Sequence, residues 1–123
     1  MYLAPHPKRS AKMSELEHLL GFELLEPWVP VAADPSTLSA ELHKELREDG
    51  LLFGRSTNAL AMRQDCDDIL FEVDGLSERF AVVHLTWSGQ RDSNSGWPHT
   101  ELFRDAEDWR LRCMVPDHED FTC

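Results

Sequence analysis

Three aspartates, Asp65, Asp67 and Asp68, stand at the start of a predicted strand and could hold a divalent cation. Carboxylate oxygens are the hard ligands that Mg²⁺ and Mn²⁺ prefer. A neutral His84 could add a ligand or act as a base, with Glu101 as a further carboxylate. However, Asp-x-Asp-Asp lacks the glycine and terminal Glu of a calcium loop, and aspartate is also a common turn residue. We therefore assign no metal site and no cofactor, and keep His84, Asp67, Asp68 and Glu101 as catalytic candidates.

Motifs for covalent catalysis are absent from the sequence. Ser88-Gly89 lacks the rest of the Gly-x-Ser-x-Gly turn, and no glycine-rich loop precedes a helix to bind phosphate. Cys66 lies between Asp65 and Asp67, whose charges oppose formation of a thiolate, so it is a poor nucleophile. The absence of these motifs favours a protein that is not an enzyme.

The three cysteines, Cys66, Cys113 and Cys123, are scattered along the chain without a Cys-x-x-Cys pair or a zinc-type Cys/His spacing. Reduced thiols in a cytoplasmic protein are the expected state. No apolar run approaches the roughly 20 residues needed to span a bilayer. The N-terminus also lacks an apolar stretch of signal-peptide length.

The charge balance is strongly acidic. Twenty-three Asp and Glu face twelve Lys and Arg, for a net charge of -11. Such a surface repels phosphate backbones and anionic membranes, so we expect neither nucleic acid nor membrane as a partner. A basic protein would be attracted, and Glu107 and Asp108 are candidate contacts for it. Solubility alone is the alternative explanation of the charge.

A long polar segment, residues 88–100, follows the longest predicted strand. Loops of this length inside compact domains are uncommon and often functional. Trp87 and Trp97 flank or lie within it, and His99 stands near its end. Tryptophan can anchor an interface or line a pocket, although it more often fills a core. We take Trp87, Trp97 and His99 as candidate binding residues, with core packing as the favoured alternative for the tryptophans.

Three helices are predicted from apolar spacing and capping residues. The first carries Met13, Leu16, Leu19 and Leu20 and stops at Gly21. The second starts at Asp34-Pro35, buries Leu38, Leu42 and Leu46, and closes at Gly50. The third is capped by Asp105, buries Ala106, Trp109 and Cys113, and ends at Val115-Pro116. Residues 117–121 should then be an acidic tail or a final helical turn. Residues 22–31 should be an irregular strap anchored by Trp28.

Extended segments around residues 51–63, 68–73 and 79–87 have short connections, which require antiparallel pairing. In the last of them, Ala81, Val83, Leu85 and Trp87 form the more apolar face and should meet the helices. The Phe80, Val82, His84 and Thr86 face should lie where residues 88–100 cover or expose it. We predict an α+β fold, a meander of three to four antiparallel strands packed against two to three helices.

The N-terminal segment differs in composition from the rest of the chain. Residues 1–12 carry three basic residues and no acidic one, and Met13-Ser-Glu-Leu reads like an ordinary start. We predict a disordered extension over 1–12 and a single domain over 13–123.

Several strings in the second half of the chain form a recognisable pattern: Val83-His-Leu-Thr-Trp-Ser-Gly89, Trp97-Pro-His-Thr-Glu101, Phe103, Trp109 and Asp117-His-Glu-Asp-Phe121. The pattern resembles that of a group of small uncharacterised bacterial proteins over about residues 57–121. The resemblance implies a domain family and no particular reaction, cofactor or partner.

The sequence thus leaves two functions open. The first is a non-enzymatic binding module, for example an immunity-type or inhibitor protein that binds a basic partner through the acidic surface. The alternative is a small metal-dependent hydrolase that uses Asp65, Asp67 and Asp68 with His84. The oligomeric state is left open.

Overall fold

A five-stranded antiparallel sheet forms the centre of the fold. The computed structural model describes residues 11–31, 34–46, 52–85 and 100–122. In chain order the elements are α1 (Ala11–Leu20), β1 (Trp28–Pro30), α2 (Pro35–Glu45), β2 (Thr57–Arg63), β3 (Asp68–Val73), β4 (Phe80–His84), β5 (Thr100–Phe103), α3 (Ala106–Trp109), a π-helical turn (Arg110–Met114) and α4 (Val115–Thr122).

The strands follow one another across the sheet in the order β1-β2-β3-β4-β5. Every neighbouring pair is antiparallel, which confirms the predicted α+β meander. The sheet has five strands, one more than the upper limit of the predicted three to four. The first strand, β1, lies in the segment that we predicted to be an irregular strap, and its Trp28 pairs with Arg63 of β2.

One face of the sheet packs against α2. Leu38, Leu42 and Leu46 form the buried stripe of this helix, as predicted. They share a core cluster with the β4 residues Ala81 and Val83 and with Leu85, Ile69 and Phe71. The Asp34 carboxylate caps the helix by accepting from the Ser36 N–H, and Pro35 occupies the first turn. The helix ends earlier than the predicted Gly50, because Leu46 already has an extended backbone.

The opposite face of the sheet is also buried. Phe80 and Val82 are packed by residues of α1 and of the C-terminal helices, a contact that the sequence did not predict. Trp28 and Trp109 meet edge to face in this second core, with ring centroids 5.2 Å apart. Two apolar clusters therefore cover the two faces of the sheet.

The chain remains helical past Val115-Pro116, where we predicted the third helix to end, and α4 runs to Thr122, which confirms the helical alternative for residues 117–121. Proline lacks an N–H and crowds the carbonyl four residues earlier, so it normally interrupts an α-helix. The π-helical turn over Arg110–Met114 directly precedes Pro116, and the Val115 N–H donates to the Arg110 carbonyl five residues back. Because this π-helical turn is wider than an α-helical one, it accommodates Pro116, which has no N–H to donate, and α4 continues past it.

Some predictions fall on residues that the structure does not describe. Residues 1–10, 32–33, 47–51, 86–99 and 123 lie outside it. The proposed extension over residues 1–10 and the segment 88–99 therefore stay predictions, whereas Ala11 and Lys12, which we placed in the extension, belong to α1. Within the described ranges, no helix has the length and apolar character needed to cross a membrane.

Candidate functional site

Asp68 and His84 come together at one end of the sheet. They are direct partners in the β3–β4 register, and a hydrogen bond of 2.7 Å joins Oδ1 of Asp68 to Nδ1 of His84. The two side chains are 28% and 37% exposed, so the pair is partly shielded and still reachable from solvent. Two of the four catalytic candidates therefore meet, and strand pairing rather than a loop sets their spacing.

Cys66 completes a cluster with this pair. Its Sγ, a carboxylate oxygen of Asp68 and a ring nitrogen of His84 all lie within 4.8 Å of one another, and all three residues are half-buried. Burial raises the pKa of the Cys66 thiol, while a hydrogen bond from the Asp68 backbone N–H opposes that rise. We missed Cys66 as a partner of His84 because the β2–β3 turn, not a local spacing motif, brings the two residues together.

The other two aspartates of the turn have different surroundings. Asp65 forms a two-pronged ion pair with Arg63, with both hydrogen bonds at 2.8 Å. These hydrogen bonds hold the pKa of the Asp65 carboxyl below its ordinary value. Asp67 is exposed, and its backbone carbonyl accepts from the Leu85 N–H at 3.1 Å. The cluster around His84 thus consists of Cys66 and Asp68. It differs from the hydrolase hypothesis, which combined His84 with Asp65, Asp67 and Asp68.

Helix α4 meets the same end of the sheet through Asp117. The Asp117 carboxylate accepts from the Trp28 indole N–H at 2.9 Å and lies 3.3 Å from the Arg63 guanidinium. The neighbouring His118 ring donates to the Glu26 carbonyl at 2.7 Å. Sequence reasoning missed this role of Asp117, because both partners are far away along the chain.

These contacts gather acidic residues from three parts of the chain onto one surface. We call it the acidic end; its residues are Glu26, Asp65, Asp67, Asp68 and Asp117, together with Asp120, which follows Asp117 by about one turn of α4. Arg63 is also there, but it is already bonded to Asp65 and Asp117. The surface therefore combines surplus negative charge with the Cys66, Asp68 and His84 cluster.

Glu101, Glu107 and Asp108 lie elsewhere, beside arginines of the C-terminal helices. Glu101 is on β5, 3.5 Å from Arg112. Hydrogen bonds from Arg110 and Arg112 lower the pKa values of Glu107 and Asp108, respectively. Asp108 also accepts from the Arg104 N–H at 2.9 Å. Their charges are locally compensated, so they add little to the attraction of a basic partner.

The three remaining binding candidates, Trp87, Trp97 and His99, lie outside the described residues, and their assignment stays a prediction.

No protein-family model matches the chain. No curated protein and no solved structure matches it either. The function is therefore argued from the geometry of the acidic end.

Proposed function

We propose that this protein is a non-enzymatic binding module whose acidic end receives a basic segment of a partner protein. An immunity-type or inhibitor protein is one concrete form of this function. The proposal locates the contact at Asp67, Asp120 and their neighbours. It replaces the sequence-based choice of Glu107 and Asp108, whose charges face arginines of their own helix.

The observation that carries the proposal is how the chain uses its own arginines. Each arginine within residues 52–85 and 100–122 forms a hydrogen bond or an ion pair with an acidic side chain or a carbonyl of the same chain: Arg55 with Gly75, Arg63 with Asp65 and Asp117, Arg79 with Glu72, Arg104 and Arg112 with Asp108, and Arg110 with Glu107. Lysine does not occur after Lys44. Within these two ranges the arginines are thus engaged by the chain itself, whereas Asp67 and Asp120 are exposed.

This arrangement favours a basic partner for electrostatic reasons. Exposed carboxylates on one surface produce a negative potential that raises the encounter rate with a cationic surface. At 0.1 M ionic strength, salt largely screens the attraction between exposed charges that are more than about 10 Å apart. Binding through the acidic end should therefore be fast at low salt and should weaken steeply as salt is added.

The test uses cytochrome c as a basic protein probe and compares two double variants of equal charge. D67N/D120N removes two exposed charges from the acidic end, whereas E15Q/D74N removes two exposed charges from α1 and from the far end of β3. We expect D67N/D120N to weaken binding about 5-fold to 20-fold at low salt. E15Q/D74N should weaken it less than 3-fold. Titration calorimetry at two salt concentrations gives both affinities.

The comparison separates a docking surface from a general charge effect. Equal losses in the two double variants would mean that only net charge matters, and would rule out the acidic end as the contact. Binding that does not respond to salt would reject the electrostatic mechanism itself.

A further inference from the structure

The three donor atoms of the Cys66, Asp68 and His84 cluster lie close enough together for one ion to contact all of them. All three lie within 4.8 Å of one another. Ligand atoms around one tetrahedral zinc ion are separated by about 3.3–3.8 Å, as the known bond lengths imply. The thiol therefore needs to approach by no more than about 1–1.5 Å, and the Asp68–His84 contact needs to open slightly.

The backbone fixes the relative positions of the three residues that carry these donor atoms. Asp68 and His84 are paired residues of neighbouring strands, which sets the separation of their Cα atoms. The Leu85 N–H donates to the Asp67 carbonyl, so the turn that carries Cys66 is tied to the end of β4. A site assembled in this way needs side-chain adjustment only, without movement of a strand.

We propose that Cys66, Asp68 and His84 form a binding site for a zinc-type divalent transition-metal ion. The donor set is one sulfur, one nitrogen and one oxygen, which matches zinc rather than magnesium or calcium, whose sites are built from oxygens. The flanking charges suit a cation, because Asp65 neutralises Arg63 and Asp67 adds a further carboxylate at the exposed tip of the turn.

Three protein ligands leave one tetrahedral position for water or an external group. Asp68 and His84 retain 28% and 37% of their side-chain exposure, so an ion can reach the cluster from solvent. The site lies on the acidic end. A partner docked there could therefore supply the fourth ligand, and the ion would then contact both proteins. Ion binding itself requires no partner, so its test is independent of the proposed docking function.

The experiment is a titration of the full chain, freed of metal by chelation, with cobalt(II) as a spectroscopic probe and then with zinc chloride in competition. We expect one cobalt per chain, tetrahedral visible bands and a near-ultraviolet band from thiolate-to-cobalt charge transfer. Zinc should abolish both sets of bands, because it displaces cobalt from the same ligands.

Variants then identify the ligands. C66S should remove the charge-transfer band and weaken binding at least 10-fold, and H84Q should weaken binding to a similar degree. C113S and D74N are the matched controls, a second cysteine and an exposed acidic residue just past the far end of β3, and both should bind cobalt like the wild type. If C66S fails to fold, zinc protection of Cys66 from alkylation in the wild type, read by peptide mass spectrometry, replaces it.

Several results would overturn the proposal. The first is a wild-type chain that shows no thiolate-to-cobalt band at saturating cobalt. The second is a band that survives C66S or disappears in C113S, since either would place the ion on another thiol. The third, in the alkylation experiment, is Cys66 modified equally fast with and without zinc.

Discussion

The indole N–H of Trp28 donates to the carboxylate of Asp117 at 2.9 Å, across 89 positions of sequence. Trp28 is only 1% exposed and is wedged against Trp109, so its N–H has been removed from water. The same carboxylate lies 3.3 Å from the Arg63 guanidinium. One side chain of α4 therefore satisfies the buried donor of β1 and pairs with the last residue of β2.

Removing this acceptor should destabilise the protein strongly. In D117A the Trp28 N–H stays buried without a partner and Arg63 loses one of its two carboxylates. A buried unsatisfied donor costs about 1–3 kcal/mol, and we expect a total loss of about 2–4 kcal/mol. Urea denaturation followed by tryptophan fluorescence measures the change in the free energy of unfolding.

The matched variant is D117N, which keeps an oxygen acceptor for Trp28 but removes the charge facing Arg63. We expect it to cost about 1 kcal/mol, because only the partly exposed ion pair is lost. Losses of the same size in D117A and D117N would show that the ion pair with Arg63, not the indole hydrogen bond, stabilises α4 on the sheet.

Stability should fall in acid because of carboxylates bonded to arginine. Hydrogen bonds from Arg63, Arg110 and Arg112 lower the pKa values of Asp65, Glu107 and Asp108 in the folded state. A carboxyl whose pKa is depressed by folding contributes stability above its unfolded pKa, and that stability is lost as the pH falls through its folded value. We therefore expect a plateau above about pH 5 and a progressive loss below about pH 4.

Asp108 has the most strongly lowered pKa of these three carboxyls, so D108N should flatten the acid side of the stability curve. The substitution keeps an acceptor for the Arg104 N–H and removes the titrating group. Urea midpoints measured from pH 7 to pH 2 provide the comparison. An acid loss of equal steepness in D108N and the wild type would contradict the assignment.

The elements that the sequence predicted best are those decided by nearby residues. Gly21 ends α1 with a positive φ of 89°, and Asp34 caps α2, and both features are local. The burial of Phe80 and Val82 could not be predicted in the same way, because Leu16 and Trp109, which share their core, are distant in sequence. The π-helical turn before Pro116 was also missed, since a proline in isolation signals a helix end.

The candidate site was also predictable only in part, because residue types can be read from the sequence but contacts between distant residues cannot. Asp68 and His84 stood among the catalytic candidates because their residue types could support acid–base or metal chemistry, and strand pairing then placed them together. Cys66 was not among these candidates, because its position between two aspartates predicts a poor nucleophile. Its proximity to His84 depends on the conformation of the turn, which side-chain chemistry alone does not specify.

A left-handed glycine in the β3–β4 turn gives a further prediction. Gly75 has φ +88°, and an added Cβ would lie 2.8 Å from Nη1 of Arg55, which donates to the Gly75 carbonyl at 2.7 Å. G75A should therefore cost about 1–2 kcal/mol from backbone strain, plus part of this hydrogen bond. Thermal unfolding measures the loss.

Gly54 supplies the control, because its φ is +78° and nothing lies within 4 Å of an added Cβ. G54A should cost about 1 kcal/mol, from strain alone. In an R55A background the two alanine variants should become equally destabilised. A persistent difference there would mean that Arg55 is not what distinguishes the two turns.

The identity of the ion at the Cys66 cluster can be read from stability as well as from spectra. An ion that binds only the folded chain raises the free energy of unfolding by about 2.7 kcal/mol at 100 times its dissociation constant. Zinc should stabilise the wild type in this way and C66S much less, because the thiolate is a ligand that zinc prefers. Magnesium at millimolar concentration should leave the melting temperature of both unchanged. Stabilisation by magnesium that persisted in C66S and disappeared in D65N/D67N would instead favour an oxygen-only site on the aspartates of the turn.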